Sequence, residues 1–124
     1  MDRNFVMMGA VLMFLGVGAG AFGAHGLAAY FERFPDLEAT YETAVRYHLI
    51  HALAILITAW IVTEYNANFA TWAGWLFLVG IILFSGSLYL LVFTQMRWLG
   101  AITPLGGLAF LAGWVMIFLA AWRS

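Results

Sequence analysis

The sequence predicts an all-α fold: a four-helix transmembrane bundle running up-down-up-down, with an amphipathic interfacial segment between its first and second helices. Three observations carry that prediction. Of 124 residues, 65% are hydrophobic and 9% charged, too little charge to cover a soluble domain of this size. The apolar residues fall in long uncharged runs instead of being scattered. Four of these runs each supply the roughly 20 residues that a helix needs to cross the hydrocarbon of a bilayer.

The first run, FVMMGAVLMFLGVGAGAFGAHGLAAYF, contains no charge between Arg3 and Glu32. It predicts a helix over about 5–24. Longer than the apolar part of a secretory signal and followed by no polar mature chain, it reads as a membrane anchor. In the connection 25–43, LAAYFERF places Leu27, Tyr30, Phe31 and Phe34 on one side and Glu32 and Arg33 on the other, as suits a short helix lying at the interface. Pro35 should end it, with Asp36 placed to cap the next helix. From Leu37 the apolar positions recur every three or four residues, while Glu38, Glu42 and Arg46 line another face, Glu42 and Arg46 in the favourable order for an ion pair. The second helix therefore begins near Leu37 as an amphipathic stem and spans the membrane over about 44–63.

The run from Asn66 to Met96 predicts the third helix at about 71–93, after the short polar turn 64–70. The last, from Trp98 to Trp122, predicts the fourth at about 102–122, with Pro104 in its first turn, where a missing N–H costs nothing. Residues 1–124 are expected to form one integral membrane domain. Trp60, Trp72, Trp75, Trp98 and Trp122 lie near helix ends as interface anchors, and Trp114 lies deeper and should pack internally or against lipid or a partner.

This topology puts both chain termini on one side and the connections 25–43 and 94–101 on the other. His25, His48 and His51, with Arg33, Arg46 and Arg97, are then expected near that second face. On this reading His25 lies against the second helix, close enough for cysteines at positions 25 and 48 to be joined by a short crosslinker. Arginine placement, two against three, assigns no orientation.

Five arginines without a lysine form no basic patch, so nucleic acid is not an expected partner. The absence of cysteine excludes disulfides, thiolate ligands and cysteine nucleophiles. His48 and His51, three residues apart, share a helical face and could hold a metal with His25 or Glu42 as third ligand. Haem would need axial ligands from two helices, such as His25 and one of the pair. The simpler reading has each imidazole hydrogen-bonding a neighbouring helix near the interface. Ser85 and Ser87 in FSGSLY can bond to carbonyls in their own helix, so no catalytic residue is assigned. The ligand-binding candidates are His25, His48, His51, Glu42, Arg46, Ser87 and Arg97, and no cofactor is predicted. Gly16, Gly20 and Gly23 in the first helix, and Gly106 and Gly107 in the fourth, are candidate close-packing positions. Gly26 is placed to end the first helix in a left-handed conformation.

Three stretches taken together, GAFGAHGL (20–27), YETAVRYHLIHALA (41–54) and FSGSLYLL with ITPLGG (84–91 and 102–107), resemble the YgdD/YwdK-like family of small integral membrane proteins of unknown function. The resemblance covers nearly the whole chain and implies a four-helix protein of the cell membrane, the inner membrane in bacteria. The positions that carry it are Gly23, His25, Gly26, Tyr41, Tyr47, His48, His51, Ser85, Gly86, Ser87, Thr103, Pro104 and Gly106. Ala28 and Arg46 depart from the pattern, the first standing where a basic residue is common and the second where an uncharged polar one is. The resemblance implies no activity, substrate or cofactor. The expectation is therefore a bilayer-embedded accessory or scaffold subunit, or a lipid or small-ligand binder, with a membrane-protein partner or a second copy as possible company. The alternative is a membrane enzyme or small transporter using the three histidines, with metal or haem.

Overall fold

The computed structural model describes residues 1–124 and is entirely helical outside short turns. In chain order it comprises α1 (Arg3–His25), α2 (Ala28–Arg33), α3 (Pro35–Glu64), α4 (Ala67–Gly80), a π-helical segment (Ile81–Ser85), α5 (Gly86–Thr94), a 3-10 segment (Arg97–Ala101) and α6 (Thr103–Trp122). Four stretches are long and apolar enough to cross a membrane: Arg3–His25, Pro35–Glu64, Ala67–Thr94 and Arg97–Trp122. The chain is a multi-pass integral membrane protein, an all-α bundle of four spanning helices with the short α2 between the first two.

α3 is the hub. α1 packs along one side of it, α4, the π segment and α5 along another, and α6 lies chiefly on α4 and the π segment. The end carrying both termini is closed by hydrogen bonds from backbone N–H groups. Asp2 N–H donates to Ala59 O at 2.9 Å, and Asn66 N–H reaches Ala120 O at 3.2 Å and Ser124 Oγ at 2.8 Å. The starts of α1 and α4 are capped by side chains, Asp2 accepting from Phe5 N–H and Asn66 from Asn68 and Phe69 N–H, which satisfies donors a helix start leaves free. At the other end, Tyr30 of α2 donates to Val92 O of α5 at 2.6 Å, and Arg97 pairs with Asp36 at 3.1 Å. α2 is thereby fastened across the bundle mouth.

Local details differ from the sequence expectation. α3 starts at Pro35, whose fixed φ suits a first helical position, so Asp36 falls inside the first turn and pairs with Arg97 instead of capping. Gly26 has φ −69°, right-handed: Leu27 N–H bonds back to Phe22 O, so α1 closes without a left-handed residue. The left-handed helix end is instead Gln95, φ 58°, after α5. The π segment was not legible in the composition. Gly86 N–H bonds to Ile81 O, five residues back, one residue further than in an α-helix, which widens the helix locally. Gly106 of α6 receives the backbone displaced there, for a Cβ on it would stand 2.3 Å from Phe84 N.

Candidate functional site

His48 and His51 lie at the middle of α3, because α3 begins at Pro35, well before the span 44–63 expected from the sequence. His48 meets α1 at Leu12 and Gly16, half-way along that helix. His51 meets α6 at Phe110 and Trp114, also near mid-helix. Both imidazoles therefore sit at the centre of the bundle, where an ionisable side chain in a membrane needs a partner for each polar atom.

Each ring has them. Nε2 of His48 donates to Leu12 O at 2.8 Å, and in the neutral ring this leaves Nδ1 to accept from Tyr89 O–H at 2.9 Å. His51 takes the opposite tautomer: Nδ1 donates to Tyr47 O at 2.8 Å, and Nε2 accepts from the Trp114 indole N–H at 3.1 Å. His51 also stacks on Phe110, centroids 3.6 Å apart and rings within 8° of parallel. The two residues are only 5% and 3% exposed. Gly16 makes the first tie possible, since it leaves the Leu12 carbonyl open to an imidazole that a Cβ would crowd at 3.3 Å. These are structural nodes that bind α1, α5 and α6 to α3 with every ring nitrogen engaged.

His25 does not join them. Gly16 lies against His48 and Gly23 against Tyr41, so the nine residues from Gly16 to His25 carry His25 roughly 13 Å further along α1, to its exposed end. The expected short crosslink between positions 25 and 48 is therefore excluded by helix register. No three residues of ligating type stand together in the fold, so a metal site built from the three histidines, or from the pair with Glu42, is not assembled.

Ser87 is tied to Thr103 at 2.6 Å and to Phe84 O at 3.0 Å, joining α5 to the start of α6. Ser85 donates to Ala44 O at 2.8 Å. Arg97 is held by Asp36 in an exposed pair. Gly20 and Gly23 face Val45 and Tyr41 of α3, while Gly107 has only an ordinary contact with Phe84 at 3.9 Å. Gly9, unremarkable in the sequence, continues the α1 contact surface against Leu56 and Ala52.

The remaining candidates, Glu42 and Arg46, line one groove between α1 and α3. Its volume is about 630 Å³, within the range of small-molecule sites, and Phe31 of α2 closes one end. The glycines of α1 shape one wall; Tyr41, Val45 and Leu49 form the other, with Glu38, Glu42 and Arg46 along the rim. Glu42 and Arg46 do not pair, although one turn apart, and Arg97–Asp36 is the molecule's one ion pair. Arg46 thus presents an unpaired guanidinium beside an apolar recess. Sequence reasoning missed Tyr89, Tyr47 and Glu38 as participants; the four-residue spacing of Ser85 and Tyr89, which sets both toward α3, was the available signal for Tyr89.

Among known proteins, the family model described as "Protein of unknown function (DUF423)" matches residues 19–107. The chain is 48% identical over 121 residues to the UPF0382 membrane protein YwdK of Bacillus subtilis, covering 96% of each. It is 45% identical over 123 residues to the UPF0382 membrane protein SH2409 of Staphylococcus haemolyticus, covering 98% of this chain and 97% of the relative. A UPF0382 membrane protein of Staphylococcus aureus, SAB0533, is 46% identical over the same length and coverage. No solved structure matches.

Proposed function

The chain belongs to the DUF423 family of UPF0382 membrane proteins, whose function is unknown, and from that premise we propose that it binds a membrane lipid in the α1–α3 groove, as an accessory or scaffold component of the bilayer. One observation carries the reading: Arg46 lies part-way down a membrane-spanning helix, is exposed, and has no anionic partner in the protein. A guanidinium near a bilayer centre costs on the order of 2.5–3.5 kcal/mol, less as it reaches toward the surface, and an anionic group drawn from the lipid would offset that cost. The groove beside it is apolar at depth, at Gly20, Val45 and Leu49, and polar toward its mouth, which is the polarity of an amphiphile standing in a leaflet. In this reading the amphipathic stretch 27–43 over the mouth is the surface offered to a membrane-protein partner or a second copy.

Phospholipid retained by the full chain after purification in mild detergent, counted per protein by mass spectrometry, tests this. Wild type should keep about one tightly held phospholipid and Arg46→Gln should lose most of it, a charge-assisted contact being worth about 1.5–3 kcal/mol. Equal retention by both, or none by wild type, would exclude the groove as a lipid site.

A further inference from the structure

We infer that the groove selects an amine-bearing phospholipid over an anionic one, with the phosphate at Arg46 and the ammonium among the carboxylates above it. The inference rests on the lipid-binding reading and adds the headgroup.

Depth comes first. His51 marks the middle of the bundle, since it touches α6 near its midpoint at Trp114 and the Ala67–Thr94 span near its middle at Phe77, as well as standing near the midpoint of α3. Along α3, at about 1.5 Å per residue, Arg46 is then roughly 7 Å above the midplane, Glu42 roughly 13 Å and Glu38 roughly 20 Å. The hydrocarbon half-thickness is about 15 Å, so Glu42 stands at its edge and Glu38 in the headgroup layer, while Arg46 reaches the boundary by extending its side chain outward.

Charge comes second. A second recess of about 320 Å³ opens beside the groove's mouth, sharing Gly23, Ala24, Phe31 and Glu38 with it and adding Glu32. The mouth therefore carries Glu32, Glu38 and Glu42 against the single Arg46, and none of the four is in an ion pair. A headgroup with only negative charge would gain Arg46 but face three carboxylates. A zwitterion with a primary ammonium beyond its phosphate meets both signs in the order the helix presents them, cation deep and anions shallow.

The test is a competition in the full-length protein. The chain is reconstituted in nanodiscs of equal phosphatidylethanolamine and phosphatidylglycerol of matched acyl chains, and the lipid kept on release is identified by native mass spectrometry. Wild type should hold the ethanolamine lipid about three- to fivefold over the glycerol lipid, the scale of one exposed ion pair. Glu38→Gln combined with Glu42→Gln should bring the ratio near one. A wild-type ratio of one, or enrichment of the glycerol lipid, would overturn the headgroup assignment and leave lipid binding standing. No retained lipid would remove both. The wild-type competition decides the point even if the double variant fails to fold, which circular dichroism would reveal.

Discussion

Trp114 of α6 donates its indole N–H to Nε2 of His51 at 3.1 Å, and the same imidazole donates from its other nitrogen to the Tyr47 carbonyl. One ring therefore fixes its own rotamer and locks the last helix to the hub. Trp114→Phe keeps most of the aromatic packing but removes the donor, leaving an unpaired nitrogen in the bundle. We expect a loss of about 0.6–1.7 kcal/mol, the scale of inter-helix hydrogen bonds in membranes, measured by reversible unfolding in detergent. A double-mutant cycle with His51→Phe should return a coupling of similar size; additivity would mean that the contact contributes nothing.

The two glycines of α6 should behave differently. Gly106→Ala sets a methyl against the backbone of Phe84, which cannot swing aside as a side chain does. The expected cost is about 1–3 kcal/mol, the range for overpacking. Gly107→Ala meets nothing closer than 3.9 Å and should stay within about 0.5 kcal/mol of wild type. Equal effects would place the helix contact elsewhere.

Because the chain has no cysteine, introduced pairs report register directly. A Cβ on Gly20 would stand 3.4 Å from Cγ1 of Val45, so Gly20→Cys with Val45→Cys should form a disulfide under mild oxidation. His25→Cys with His48→Cys should not, with oxidant or with a short reagent. Crosslinking of the second pair and not the first would require α1 to slide along α3 by more than two turns.

The Asp36–Arg97 pair is the one electrostatic clasp between the α2–α3 corner and the approach to α6, and both side chains are mostly exposed, at 61% and 71%. Asp36→Asn should cost less than about 1 kcal/mol and lose its effect in high salt. A larger, salt-insensitive loss would show that Asp36 acts through the helix start instead.

The number, length and order of the spanning helices were legible because charge-free runs record the bilayer directly. So was the interfacial α2, from the opposed faces of LAAYFERF. The depth of the histidines was not. The amphipathic stem from Leu37 belongs to α3 and lengthens it at one end, so counting turns from the predicted membrane entry at residue 44 placed His48 and His51 too near the surface. The Glu42–Arg46 pair failed for another reason: spacing permits an ion pair, but both side chains border a groove that the sequence does not reveal. Nor does sequence spacing specify tautomers, which here depend on which carbonyl each ring meets.

Several inter-helix ties in this fold end on main-chain oxygen: Tyr30 on Val92, Tyr41 on Ala19, His48 on Leu12 and Ser85 on Ala44. Every residue type supplies a carbonyl, so only the donor half of each tie is written in a side chain. The receiving positions are free to change their chemistry provided their size suits the approach, whereas a change at Tyr30, Tyr41, His48 or Ser85 deletes a bond. The specification of how these helices dock is thus one-sided, concentrated in a few polar letters and silent at the places they address.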